Sequence, residues 1–110
     1  MATYVRKSLG QASPAAVTLT TAYTVPGATD ATVSSIVVCN RNASSVTIRI
    51  SHAIAAAADA DKQYLVSDVT VLPNETKTFV LGITLAATDL IRVYASATLV
   101  AFNIYGQETA

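Results

Sequence analysis

The stretch Ser34-Ser35-Ile36-Val37-Val38-Cys39-Asn40-Arg41-Asn42-Ala43-Ser44-Ser45-Val46-Thr47-Ile48-Arg49-Ile50-Ser51 decides the fold class of this chain. Its first arm, Ile36 to Cys39, is an unbroken apolar run, and its second, Val46 to Ser51, alternates strictly between apolar and polar residues. Between them, Asn40 to Ser44 carries short polar side chains that bond the local backbone and tolerate turn geometry. Two strand signals around a turn read as a β-hairpin. The continuous arm predicts a strand covered on both faces. The alternating arm predicts one with Val46, Ile48 and Ile50 inward and Thr47, Arg49 and Ser51 outward.

Working outward, residues 1–16 read as an N-terminal arm and 17–110 as one domain. Within the arm, Thr3 to Leu9 is extended, with Tyr4, Arg6 and Ser8 on one side, and Gly10, Ser13 and Pro14 end its regularity. Two fates are open to it: fraying as termini do, or adding a strand to a neighbouring subunit. Val17 to Val25 alternates as a half-buried strand, and Pro26-Gly27 closes it, with Gly27 as the positive-φ residue of a type II turn. His52 to Lys62, with Ala55 to Ala58 in a row, predicts a single helical turn or a loop. Strand character resumes over Tyr64 to Val71. A further strand from Thr78 sets Phe79, Leu81, Ile83 and Leu85 toward the core. Leu90 to Ala95 and a last strand with Val100, Phe102 and Ile104 inward follow, and Gly106 ends the domain. Seven or eight short strands with turns every 8 to 12 residues specify an all-β, antiparallel β-sandwich. Ig-like, jelly-roll and closed-barrel arrangements share this periodicity.

The 110 residues suffice for one sandwich with a buried core and leave no room for a second domain. Charged residues make up only 13% and cancel to zero net charge, against ~25% in ordinary soluble domains. A neutral, charge-poor surface suits a protein that lives against neighbours. Nucleic acid is excluded as a partner, because binding phosphates needs clustered cations and only Arg6 and Lys7 adjoin. A membrane is excluded too, since no apolar run approaches ~20 residues. The N-terminus lacks the apolar core of a signal peptide, so synthesis in a cytoplasm is expected. Cys39, the sole cysteine, has no internal disulfide partner. Asn42-Ala43-Ser44 and Asn74-Glu75-Thr76 match the N-glycosylation pattern but read as turns.

No catalytic constellation emerges. A Cys39-His52 pair would need a cluster of basic groups to lower the thiol pKa, and the sequence places none beside it. Asp59-Ala60-Asp61 lacks the further oxygen donors of a calcium loop, so no metal, cofactor or enzymatic activity is expected. Candidate contact residues are Tyr4, Arg6, Arg41, Arg49, Tyr94 and Tyr105. Tyrosine couples apolar area to a polar tip, and arginine on a charge-poor surface is a rare cation. Tyr23, in register with Val17, Leu19 and Val25, reads as core.

Taken together, Tyr4-Val5-Arg6-Lys7-Ser8-Leu9-Gly10-Gln11 with Pro14-Ala15-Ala16, Tyr23-Thr24-Val25-Pro26, Ser34 to Asn42, Gly82-Ile83-Thr84-Leu85 and Asp89 to Ala95 resemble small virion-associated structural proteins of tailed bacteriophages. The resemblance spans nearly the whole chain and brings no catalytic residues. It implies a virion location and a non-enzymatic role, as a capsid decoration or cement subunit or as a neck, tail or fibre-attachment accessory. The partners it implies are the chain itself, in a homo-oligomer for which a capsid-surface trimer is preferred, and other virion proteins such as major capsid, neck, tail or fibre proteins. The competing class is a β-sandwich module that recognises host-surface glycan or protein through Tyr and Asn side chains on its loops.

Overall fold

The two arms of the quoted stretch part company at Asn40. In the computed structural model, which describes residues 3–110, strand β3 (Asp30–Asn40) and strand β4 (Val46–Ala53) lie in different sheets. The expected Ser34 to Ser51 hairpin is corrected by this: the turn carries the chain across a sandwich instead of folding it back on a partner. Each arm has one strongly apolar face, and a sandwich buries both by setting the faces against each other. In β3, Ala31, Val33, Ile36 and Val38 are buried inward, while Val37 and Cys39 are half-buried on the outer face. The continuous run is therefore not covered on both sides. In β4, Val46, Ile48 and Ile50 are buried as expected, but so is Ser51. Its cross-strand neighbours Tyr64 and Arg92 are long enough to cover it on the outer face.

The remaining strands are β1 (Tyr4–Ala12), β2 (Thr20–Thr24), β5 (Tyr64–Val71), β6 (Thr76–Phe79), β7 (Ile83–Leu85), β8 (Leu90–Ala95) and β9 (Val100–Thr109). Their antiparallel pairing is nested: β1 with β9, β2 with β8, β3 with β6 and β7, β4 with β5. Rolling that long ribbon brings β9 beside β3 and β8 beside β4. The result is one sheet ordered β1-β9-β3-β6, with β7 also on β3, facing another ordered β2-β8-β4-β5. This nesting is the jelly-roll arrangement. The Ig-like order is thereby set aside.

Several boundaries move. The lead segment contributes, over Tyr4–Ala12, the edge strand of its own sheet; residues 1 and 2 of that segment lie outside the described residues. Gly10 permits this docking, because a side chain there would collide with the carbonyl oxygen of Ala22 in the facing sheet. Strand β2 starts at Thr20, and Val17 is exposed with φ 55. The positive φ after Pro26 falls on Ala28, not on Gly27. The expected strand from Thr78 to Leu85 is split by Val80-Leu81-Gly82, where Gly82 has φ 58 and Leu81 is exposed. Two short 3-10 turns, Ile54–Ala56 and Asp61–Gln63, occupy the Ala-rich segment. Finally, β9 runs past Gly106 to Thr109.

Phe102 is the largest fully buried side chain, surrounded by buried Ile, Val and Leu from both sheets. The one fully buried amide is Asn40, 0% exposed at the crossing. Its Nδ2 donates to the carbonyl oxygens of Ser44, Val71 and Leu72 at 3.0 to 3.2 Å, and its Oδ1 accepts from the backbone N–H and Nδ2 of Asn42. Asn42 in turn donates to the Thr98 carbonyl oxygen, and its own carbonyl oxygen accepts from Asn74. One buried side chain thus ties the β3–β4, β5–β6 and β8–β9 turns together. Replacing Asn40 by Ala removes this network and should cost about 2–4 kcal/mol. Asn40→Asp, which sets a carboxylate against three carbonyl oxygens, should cost at least as much. Urea unfolding checks both, and a loss of under about 1 kcal/mol in each would remove Asn40 from its structural role.

Candidate functional site

On the outer face of the first sheet, three rungs cross β1, β9 and β3. They are Tyr4-Thr109-Asp30, Arg6-Gln107-Thr32 and Ser8-Tyr105-Ser35. Both flanking strands bulge beside the Tyr105 rung: Leu9 is the extra residue in β1, between the Tyr105 and Ile104 rungs, and Ser34 the extra residue in β3, between the Gly106 and Tyr105 rungs. Bulges re-aim side chains and bend the sheet locally. Gly106 completes the distortion, since a side chain there would collide with the Thr32 carbonyl oxygen, so only glycine lets β9 lie this close to β3. The Ser34 hydroxyl donates to the Tyr105 carbonyl oxygen at 3.1 Å and fixes the bulge. Above it opens a groove of about 670 Å3 whose lining includes Arg6, Ser8, Thr32, Ser34, Tyr105 and Gln107. Of the sequence candidates, Arg6 and Tyr105 meet here, with Tyr4 one rung away and 66% exposed.

Arg49 and Tyr94 lie on the opposite face of the molecule, as direct cross-strand partners in β4 and β8. The Arg49 guanidinium sits 4.4 Å from the Tyr94 ring centroid and donates through Nε to Asp68 at 2.7 Å. Asp68 reaches it because β5 is irregular there and Asp68 itself adopts φ 52. The hydrogen bond to Asp68 is the main reason the Arg49 pKa is raised. Arg49 is thus engaged within the chain, and its pair with Tyr94 forms a stacked cation–π contact. Nearby, burial and a hydrogen bond to Asp59 push the Tyr64 hydroxyl up. Arg41 stands apart, exposed on the β3–β4 turn.

Two carboxylates that sequence reading left unassigned are structural. Asp89, 5% exposed, accepts from the Ala55 and Ala86 backbone N–H groups at 2.9 and 3.0 Å and lies 3.1 Å from His52 Nε2. Burial alone would raise its pKa, but these three bonds outweigh burial and hold it below the ordinary range. At the sandwich edge, Glu108 accepts from the Tyr23 hydroxyl at 2.6 Å and pairs with Lys7 at 2.9 Å, both of which lower its pKa, while burial and then the bond to Glu108 raise that of Tyr23. This joins β2 of one sheet to β1 and β9 of the other, and Tyr23 is buried as expected. Among the described residues no three His, Cys, Asp or Glu side chains gather as metal ligands, and no helix is long and apolar enough to cross a membrane. Cys39 is a free, half-buried thiol on the outer face of β3.

The two depressed carboxyls give a pH dependence with a definite sign. A carboxyl whose folded pKa lies below its unfolded value, about 4, contributes fully above that value and loses its contribution as pH falls through the folded pKa. The chain should therefore lose stability below about pH 4. The double variant Asp89→Asn, Glu108→Gln should be less stable at neutral pH and show a flatter profile in acid. Urea midpoints measured across that range test this, and parallel profiles for the two proteins would contradict it.

No family model matches the chain, and no curated protein matches it. Among solved structures, the chain is similar to one chain in the structure of infectious bursal disease virus, Gx strain, with a TM-score of 0.57 at 10% sequence identity. The similarity covers 99% of this chain and 32% of that one, so this chain spans about a third of that neighbour's length. It establishes a shared sandwich fold.

Proposed function

We propose that the chain is a non-enzymatic structural subunit of a virus particle. One observation carries the reading: the jelly roll is not a fragment of a larger similarity but nearly the whole chain, aligned over 99% of its length with part of a chain from a virus structure. Jelly rolls recur in viral shells because their two sheets leave flat faces and loop ends free for neighbours. The surface supports this, with few charges and no net charge. Exposed Val17, Leu72 and Leu99 all belong to turns at the Asn40 end, which hydrogen bonds join. Val17 and Leu99 there hold φ values of 55 and 62, a left-handed conformation that bulky side chains disfavour. Apolar side chains kept exposed on strained backbone are suited to burial against a partner.

The finer assignment rests on the resemblance stated from sequence: a subunit of a tailed-phage virion, decorating the capsid or joining neck, tail or fibre, and associating with its own copies. A map of the intact particle should place several symmetry-related copies of this sandwich on it. A chain that sediments as a strict monomer and is missing from purified particles would sink the proposal. A variant separates surface from stability: Val17→Asn relieves backbone strain and should stabilise the free chain by about 1 kcal/mol while weakening its association. Stabilisation with undiminished association would remove the Asn40 end from the interface.

A further inference from the structure

We infer that the groove over Tyr105 is a binding site for an acidic saccharide, with one sugar ring against the tyrosine and a sugar carboxylate on Arg6. The assignment goes beyond a structural role and does not rest on it. It places the recognition-module alternative on a sheet face rather than on the loops. Three observations carry it. The first is shape: bulges at Leu9 and Ser34 on both neighbours of β9, with glycine at 106, border a depression of about 670 Å3. Two independent bulges, one on either side of the Tyr105 rung, are an arrangement that a face serving only to cover a core does not need.

The second is lining chemistry. Ser8, Thr32, Ser34 and Gln107 present hydroxyl and amide groups around Tyr105, which is 40% exposed. Hydroxyls and amides match the hydroxyl groups of a sugar, and an exposed aromatic ring offers the apolar face on which a pyranose packs. An extended peptide would instead be held mainly by main-chain hydrogen bonds at an open strand edge, whereas β9 beneath the groove is paired on both sides. The third is charge. Arg6 makes no ion pair among the described residues, unlike Lys7 beside it, which is held by Glu108. The nearest carboxylate on that face by register, Asp30, stands on the far strand and one rung away. A guanidinium with its fork free beside hydroxyl and amide groups selects a carboxylate.

The test uses the purified chain and NMR titration with oligogalacturonate, oligoalginate and sialyllactose, each against its methyl-esterified, uncharged form, and with a poly-glutamate peptide. The expected result is shifts confined to β1, β9 and β3 with at least one acidic saccharide, and binding about tenfold weaker to its ester. Arg6→Gln should bring acid and ester to the same affinity. Tyr105→Ala should weaken both by about tenfold. Both side chains are exposed, so the variants should keep the wild-type circular dichroism and urea midpoint. Absence of shifts with all three acids at millimolar concentration would overturn the inference, as would binding that the two variants leave unchanged. Arg6-dependent binding of poly-glutamate without any saccharide would also overturn it, assigning the groove to an acidic peptide. None of these outcomes bears on whether the chain resides in a particle, which the particle map decides separately.

Discussion

The crossing at Asn40 is the constraint on which the rest of this structure depends. The chain passes from one sheet to the other between β3 and β4, and at that crossing the buried Asn40 side chain lies against backbone carbonyl oxygens of two turns. Such groups are costly to bury unpaired. Asn40 resolves this with a single side chain, since its Nδ2 serves carbonyl oxygens of two turns and its Oδ1 accepts from the backbone N–H and the side-chain amide of Asn42. Because Val71 and Leu72 are among its partners, the same amide fixes where β5 ends and β6 begins. Pairing between β4 and β5 and between β3 and β6 is then referenced to one point.

The charge economy follows a similar logic. Of the seven acidic residues, Asp68, Glu75, Asp89 and Glu108 hold a backbone N–H or a cation within the chain. Carboxylates so engaged are satisfied acceptors, poorly placed to move protons for a substrate. Glu108 and Asp89 also act where layers meet, one stapling the edge of the two sheets and the other joining the β4–β5 and β7–β8 turns. Their solvation is exchanged for hydrogen bonds that exist only when folded, which is why acid should loosen this protein at those seams first.

Much of the strand content was legible because side-chain alternation is local. Val46, Ile48 and Ile50, or Val100, Phe102 and Ile104, declare their inward face within six residues. Pairing was not legible, because nothing in the alternation of β3 says whether its neighbour is β4 or the distant β9. The hairpin expectation failed on that ground. Arg49 and Tyr94 were named separately, and only the register between β4 and β8 makes them one unit. The bulge in β3 did leave a trace: inward residues run Ala31, Val33, then Ile36, Val38, a phase slip of one residue at Ser34. Gly106 is equally visible, yet it lies inside β9 instead of ending the domain as expected. An isolated glycine inside an alternating run more often marks close backbone approach, and that is its role beside Thr32.

Strand β9 joins the fold to its proposed chemistry. Its inner face, Val100, Phe102 and Ile104, is fully buried, so the backbone is pinned by the core along most of its length. Its outer face carries Asn103, Tyr105 and Gln107, and neighbours on both sides hold it through ladders. Side chains borne on such a strand keep their spacing far better than side chains on a turn. Binding there forfeits little conformational freedom beyond the side chains themselves. The bulges cost two rungs of regular pairing, yet they lie where β9 is held from both sides, so the sheet absorbs the distortion. A recognition groove in the middle of a sheet, with free turns at its ends, would let one subunit be fixed in an assembly through the turns while the sheet face still meets a ligand.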